Sequence, residues 1–266
     1  MRSPTVDDTE RLLQMHGANG FPGMLGSIDC MHWKWKNCPN GWKGMYTRGD
    51  YGTATIILEA VASYDRWIWH AYFGAAGSNN DINVINQSPV FTDLLWGRAP
   101  RINFIVNGHQ YNKGYYLADG IYPEWATLVK SIKLPQTRKQ QLFARWQESQ
   151  RKDVECAFGI LKARFKIIAV PCKLWKESDI GLIMRACIIM HNMIIEDERD
   201  MDVLDLNDDP GEFEVQSPEY TNSVPRAFAQ VISTDCEVHD ASVHNRLKKD
   251  LMEHIWTYHR GSTSGS

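Results

Sequence analysis

The sequence predicts an α/β protein with a mixed sheet flanked by helices. Two runs rich in β-branched and aromatic residues, at 53–63 and 67–74, are separated by three residues and predict a hairpin. Helices and strands then alternate along the chain, a pattern typical of a sheet covered by helices. Hydrophobic residues make up 43% of the 266 residues, which is enough to bury a core and excludes disorder throughout.

The other predicted elements follow in order along the chain. The first strand, residues 24–29, is apolar and ends at Asp29, and a later strand, 115–119, ends at Asp119. A helix over 81–96 is expected, with Ser78, Asn79 and Asn80 as its caps. The second half is expected to contain a short helix at 125–132, a long one at 137–165, a strand at 166–170, and helices at 178–198 and 245–258.

Several protein classes are excluded by the sequence. The longest apolar run lies within residues 180–195. It is too short to span a bilayer and includes Arg185, His191 and Asn192, so we expect a buried helix and no membrane association. For His191, a buried ring bonded to the backbone is favoured over a metal ligand. Six Cys residues without a C-x-x-C pair favour buried thiols over a disulfide framework or zinc site. No dinucleotide, P-loop or G-x-S-x-G motif is present.

Charge is distributed unevenly, although the net charge is only -3. Residues 130–176 contain twelve Lys or Arg and three Asp or Glu, within periodic sequence that is expected to fold. Residues 196–240 contain fourteen Asp or Glu and two Lys or Arg, together with three prolines. This composition predicts a basic surface on the folded part and an acidic linker or tail after it.

Two predicted strands end in an acid, Asp29 and Asp119. Sites in open α/β sheets form beyond the carboxyl ends of strands, so two carboxylates there converge on one edge. Their oxygen atoms suit hard divalent cations such as Mg²⁺. The alternative is that each Asp starts a turn, as Asp often does.

A third acid, Glu155, follows Asp119 after thirty-five intervening residues, inside the long predicted helix. Arg151, Glu155 and Lys162 are spaced to share one stripe of that helix. Glu155 adjoins Val154, part of the apolar stripe expected to pack on the sheet, so it sits at the margin of the buried face. The alternative is a surface ion pair between Arg151 and Glu155, which contributes little stability.

A fourth acid and a basic, aromatic segment complete the candidate residues. Asp81 follows Gly77-Ser78-Asn79-Asn80, and it is either a helix cap or an additional ligand. In His32-Trp33-Lys34-Trp35-Lys36, alternation at period two predicts Trp side chains inside and Lys side chains outside. The alternative is aromatic stacking on nucleobases. The basic residues expected to contact phosphate in this region are Lys34, Lys36, Lys43 and Arg48.

Five motifs in order carry a resemblance to a known family. The segments are GSIDCMHW, GSNNDINV, LADGIYP, DVECAFGILKARF and CIIMHNMIIEDERD. They resemble plant PIF/Harbinger transposases and Harbinger transposase-derived nucleases, a resemblance that runs from about Gly20 to Asp200. The pattern R-x3-E-x6-K is also similar to the helix signature of bacterial DDE insertion-sequence enzymes, with Glu148 where those enzymes have Tyr.

The resemblance implies a ribonuclease-H-like fold with a two-metal DNA-cutting site, here followed by an acidic C-terminal tail. Asp29, Asp119 and Glu155 would be catalytic, with Asp81 as a further ligand of two Mg²⁺ or Mn²⁺ ions. Arg151 and Lys162 would support Glu155 or the scissile phosphate. Further contacts to the DNA backbone are expected from Lys130, Lys133, Arg138 and Lys139.

These observations predict a domain organisation and a setting. Residues 1–20 are a short N-terminal remnant, 21–199 the DDE endonuclease domain, 200–243 an acidic linker, and 244–266 a C-terminal helix and tail. We expect an isolated catalytic region, because twenty-five residues precede Gly26 whereas the family has a sizeable N-terminal region there.

The resemblance also implies partners and a location for the chain. DNA, a separate Myb-like DNA-binding protein and a second copy of the chain are the expected partners. The nucleus is the expected location, although the sequence contains no strong basic import signal. The alternative function is a domesticated or truncated, non-catalytic interaction module in chromatin.

Overall fold

The computed structural model describes residues 2–49, 52–202 and 228–263 of the chain. The strands are β1 (Met24–Lys34), β2 (Thr55–Ala62), β3 (Ile68–Ala76), β4 (Phe104–Val106), β5 (His109–Tyr111), β6 (Tyr115–Ala118) and β7 (Leu128–Lys130). The helices are α1 (Val6–Ala18), α2 (Lys43–Tyr46), α3 (Asp81–Gln87), α4 (Thr92–Leu95), α5 (Arg138–Arg164), α6 (Lys166–Ala169), α7 (Glu177–Asp202), α8 (Phe228–Val238) and α9 (Ala241–Thr263).

Five strands form a mixed sheet in the order β3-β2-β1-β6-β7. Strands β2 and β3 are antiparallel, as the predicted hairpin requires, whereas β6 runs parallel to both β1 and β7. β4 and β5 form a separate two-stranded hairpin. The predicted mixed sheet flanked by helices is confirmed, and the architecture is consistent with a ribonuclease-H-like fold.

The chain divides into two compact units, and the division falls within β1 and within α5. Of the described residues, the first unit contains those between 28 and 90 and between 153 and 202, with residue 2. The second unit contains those between 3 and 27, between 91 and 152, and between 228 and 263.

The core of the first unit lies on both faces of β2, whose eight residues are all buried. On one face Leu58 belongs to a cluster with Val154 and Leu161 of α5 and with Met184 of α7. On the other face Ile57 packs against Val84 of α3, since successive residues of a strand point to opposite faces. The predicted apolar stripe of the long helix is therefore confirmed.

The core of the second unit combines its strands with helices from distant parts of the sequence. Its buried residues include Leu13 of α1, Phe143 of α5, and Leu117 and Val129 of β6 and β7. Helix α9 contributes Leu247, Leu251 and Ile255 to the same cluster. The C-terminal helix is thus part of a core.

Three predicted elements are wrong. Residues 125–132 do not form a helix but contain β7, because Leu128 and Val129 are fully buried and pair in parallel with β6. The helix expected over 81–96 is broken into α3, a 3-10 turn and α4, since Pro89 has no N–H to continue the hydrogen bonding. Residues 166–170 contain the helical turn α6 in place of a strand.

Residues that the sequence assigns to no element form α1, α2, the hairpin of β4 and β5, and α8. Asn107 and Gly108 have φ values of 51° and 79° and join β4 to β5, a turn that the Asn-Gly pair favours. Within the predicted acidic linker, residues 228–238 form α8, and the N–H of Ala126 donates to the carbonyl of its buried Val238 at 2.9 Å. Residues 203–227 of that linker lie outside the described residues.

Helix α7 is longer than the apolar run that the sequence predicts. Its stretch Glu177–Arg199 has 23 residues, with a mean hydropathy of 1.4, so length and composition alone would let it cross a membrane. That length corrects the expectation of a run too short to do so. One side of α7 is nevertheless buried, and the amide of Asn192 bonds both the N–H and the carbonyl of Ile68 on β3, at 2.9 and 2.8 Å.

Candidate active site and nucleic-acid surface

Asp29 lies within β1 and not at its end, which corrects the predicted strand boundary. The strand continues to Lys34 because Met31 and Trp33 keep the alternation of buried positions. Asp29 is half-buried, and its Oδ1 accepts a hydrogen bond of 2.8 Å from the N–H of Cys30. By strand periodicity its side chain shares a face with Met31 and Trp33.

Glu155 lies on α5 in the same unit as Asp29. It is exposed and directly follows the fully buried Val154, the margin position that the sequence predicts. Met31, Trp33 and Val154 belong to one core cluster. Asp29 and Glu155 are therefore placed on the same side of the sheet in the first unit.

Two basic residues of the predicted stripe share α5 with Glu155. Arg151 precedes it by one turn and Lys162 follows it by about two turns, and both are half-buried. Burial lowers the pKa of the Lys162 ammonium. Lys162 makes no ion pair with another described residue, so its charge is available to an anion.

Asp119 follows β6 directly, as predicted, and belongs to the second unit. It is exposed, and its Oδ1 accepts from the N–H of Gly120 at 2.5 Å while its carbonyl accepts from the N–H of Tyr122 at 3.1 Å. These bonds are those of an Asp that begins a turn. In the parallel pairing of β1 with β6, Ser27 lies opposite Leu117, and Asp119 follows Leu117 by two residues.

Asp81 occupies the first turn of α3, and Asn80 is the cap. The Asn80 side chain accepts from the N–H of Asn83 at 2.8 Å. The buried residue of this helix, Val84, packs with Ile57 on the sheet face opposite to the cluster that contains Val154. A ligand role for Asp81 stays a prediction.

The donor chemistry of these acids fits the implied ions, since carboxylate oxygens are the ligands that Mg²⁺ and Mn²⁺ prefer. The described part of the chain contains no close group of three or more His, Cys, Asp or Glu side chains that could hold a metal ion. The proposed set of Asp29, Asp119 and Glu155, with Asp81, thus stays a prediction.

The end of β1 carries an outward row of lysines, as the sequence predicts. Trp33 and Trp35 are buried, whereas Lys34 and Lys36 are exposed. The two indoles donate to the carbonyls of Val170 and Leu174, each at 2.8 Å. The structural interpretation of these Trp residues is therefore confirmed.

The segment after α6 pairs with the end of β1. The N–H of Cys172 donates to the carbonyl of Lys34, and the N–H of Lys36 donates to the carbonyl of Cys172, both at 2.8 Å. This pairing brings Lys173, which is exposed, beside the lysines of β1.

Trp175 is absent from the predicted site residues but is the most exposed Trp among the described side chains, at 66%. Lys173 and Lys176 flank it in the sequence, and both are exposed. The available signal is the Trp-Lys dipeptide, which occurs at 33–34, 35–36, 42–43 and 175–176. An exposed ring among lysines is suited to stacking on a base.

A match to a protein family identifies the origin of this chain. The sequence profile of the plant transposon protein family matches residues 1–202. The chain belongs to this family. No curated protein and no solved structure matched in the other two comparisons.

The other basic residues of this plant transposon protein that are predicted to contact DNA differ in whether an acid already pairs with them. Lys130 and Lys139 are already paired with acids, Lys130 with Glu124 at 3.3 Å and Lys139 with Glu253 at 2.6 Å. The side chains of Lys43, Lys133 and Arg138 are exposed, and that of Arg48 is half-buried.

His191 of the transposon protein is a core residue, as predicted. It is fully buried, and its Nε2 lies 2.9 Å from the carbonyl of Arg66, to which the protonated nitrogen donates. Burial lowers its pKa. It belongs to the packing of α7 against the β2–β3 hairpin.

Proposed function

We propose that this transposon protein is a metal-dependent DNA endonuclease and strand transferase of the DDE type, of the PIF/Harbinger kind. Its substrate would be phosphodiester bonds at transposon ends. Asp29, Asp119 and Glu155 would hold two Mg²⁺ or Mn²⁺ ions, with Asp81 as a further ligand. The chemistry such ions supply when bound is stabilisation of the attacking and leaving oxygens of an in-line displacement.

The observation that carries this proposal is the register of the parallel strands β1 and β6. Ser27 lies opposite Leu117, and Asp29 and Asp119 each follow that pair by two residues. Carboxylates at equivalent positions of adjacent parallel strands suit a shared function. Glu155 supports the proposal because its helix packs on the sheet face that carries Asp29.

The remaining residues of the proposed site position the substrate. Arg151 orients the Glu155 carboxylate from one turn away on α5. Lys162, a partly desolvated cation, attracts the scissile phosphate more strongly than a fully hydrated lysine would. Both act without contact to the base, so the site would cut without reading sequence.

Contacts to the DNA backbone would come from exposed lysines and arginines on both units. Lys34, Lys36 and Lys43, with Arg48, form one group, and Lys133 and Arg138 another. Lys130 and Lys139 would contribute only by exchanging Glu124 and Glu253 for phosphate. Such binding would be weak and would decrease steeply with salt, because phosphate contacts release counterions. A separate Myb-like protein would supply sequence recognition in the nucleus.

The test is Mn²⁺-dependent nicking of supercoiled plasmid by the purified chain. We expect nicking by the wild type and none by Asp29→Ala or Asp119→Ala, with circular dichroism unchanged. Nicking that persists in both variants would contradict the assignment of these acids. A folded chain that neither nicks DNA nor is stabilised by Mn²⁺ would favour the alternative, a non-catalytic interaction module.

A further inference from the structure

Gln147 of α5 is a polar residue that is fully buried. Its Nε2 atom donates two hydrogen bonds of 3.0 Å each, one to the carbonyl of Ala118 and one to the carbonyl of Val129. Its Oε1 atom is buried and has no hydrogen-bond partner among the described residues. Burying an unpaired amide oxygen is unfavourable, so the two bonds that Nε2 donates must outweigh that cost.

The two bonds lie where strands β6 and β7 stop pairing. In this parallel ladder Leu117 pairs with Val129, and Ala118 with Lys130 is the last pair. The amide of Gln147 bonds one carbonyl of each strand at that end of the ladder. Helix α5 therefore ties together the ends of β6 and β7 through a single buried side chain.

The bond to Ala118 also restrains the backbone of Asp119. The carbonyl of Ala118 and the N–H of Asp119 belong to the same peptide group. Because that group is planar, a bond that holds the carbonyl also restrains the Cα atom of Asp119 and the direction in which the chain leaves β6. The side chain of Asp119 is exposed, so packing does not hold it. The buried bond one residue earlier is the anchor of its backbone.

We propose that Gln147 is a positioning residue for Asp119. Its amide holds the end of β6 so that the Asp119 carboxylate keeps the position from which it binds a divalent cation. Gln147 acts through the backbone and does not bind the cation itself. Removing a group that positions a metal ligand typically lowers metal affinity about 10–100-fold. This inference rests on the proposed function, because it needs Asp119 to be a metal ligand.

The test is the Mn²⁺ concentration that half-saturates the rise in melting temperature of the purified full chain. Gln147→Met keeps the length of the side chain but donates no hydrogen bond, so this concentration should increase about tenfold or more. Gln147→Glu keeps one donor, because burial keeps its carboxyl group protonated, so its value should lie between those of the wild type and Gln147→Met. Hydrogen exchange of the backbone amides at 119–122 should be faster in both variants.

The matched control is Gln150→Met. Gln150 lies three residues further along α5, and its Oε1 atom is also buried without a partner among the residues that the structure describes. This variant should respond to Mn²⁺ like the wild type. Circular dichroism of each variant checks folding.

Asp119→Ala separates a failure of this inference from a failure of the proposed function. If Asp119→Ala loses the stabilisation by Mn²⁺ while Gln147→Met is half-saturated at the wild-type concentration, Gln147 does not position Asp119 and the inference is wrong. If Asp119→Ala is stabilised by Mn²⁺ like the wild type, Asp119 is not a metal ligand. The proposed function is then wrong, and the inference with it.

Discussion

At the scale of single residues, a substitution of Glu155 distinguishes an active nuclease from a folded protein without nuclease activity. We expect Glu155→Gln to abolish Mn²⁺-dependent nicking while circular dichroism stays unchanged. The stabilisation of the chain by Mn²⁺ should also decrease, because a ligand that binds only the native state raises stability by mass action. The measurements are plasmid nicking and thermal melts with and without Mn²⁺.

Glu148→Gln is the matched control, since Glu148 is exposed on α5 two turns before Glu155. It should nick DNA and respond to Mn²⁺ like the wild type. If Glu155→Gln behaves like this control, Glu155 is a surface residue paired along its helix, worth a few tenths of a kcal/mol.

Buried histidines make stability depend on pH. Burial lowers the pKa of His191 and of His244, so the folded chain keeps both rings neutral. As pH falls below the ordinary value of about 6.5, the unfolded chain binds protons that the folded chain does not. The free energy of unfolding should therefore fall on the acid side of that value, by up to about 1.4 kcal/mol per pH unit for each ring.

Urea unfolding at several pH values measures this dependence. His191→Gln keeps a donor for the carbonyl of Arg66 but has no titrating group. Its free energy of unfolding should therefore fall less steeply with decreasing pH than that of the wild type. His239→Gln, at an exposed histidine, is the control. If the free energy of unfolding falls equally steeply with decreasing pH in the wild type and in His191→Gln, His191 does not cause the pH dependence.

At the scale of elements, the pairing of β1 with residues 172–174 creates a surface whose function is testable. Trp175→Ala should weaken binding of single-stranded oligonucleotide by about 1–3 kcal/mol, the usual contribution of one stacked base. Fluorescence anisotropy of a labelled oligothymidine measures the change. Trp96→Ala, which removes another exposed Trp, should bind like the wild type. If both variants lose the same affinity for the oligonucleotide, Trp175 does not stack on a base.

The elements also show how far sequence reasoning reaches. Helix α5 is predictable because no Pro interrupts its 27 residues and because the apolar stripe of Val154, Phe158 and Leu161 has helical spacing. Strand β7 has three residues, and a short apolar run does not distinguish a strand from a buried helix until its neighbour β6 is known. The position of Asp119 is predictable because β6 ends where the apolar run ends, directly before this residue. Asp29 lies within β1 because pairing and burial continue beyond it.

At the scale of the whole molecule, stability depends on a helix from the end of the chain. Leu251 of α9 is fully buried in the core of the second unit, so Leu251→Ala should lower the free energy of unfolding by about 2–5 kcal/mol. Guanidinium unfolding measures the loss. Met252→Ala, at a half-buried neighbour, should cost clearly less. Similar losses would mean that α9 contributes by its helix content and not by packing.

The Trp33 and Trp35 hydrogen bonds have a consequence during synthesis. Their carbonyl partners lie 137 and 139 residues further along the chain. At a translation rate of about 5–20 residues per second, the two Trp residues are synthesised roughly 7–28 s before those partners. During that interval the two indole rings lack their native contacts with residues 170–174. The nascent chain therefore presents a binding site for chaperones that disappears once residues 170–174 dock.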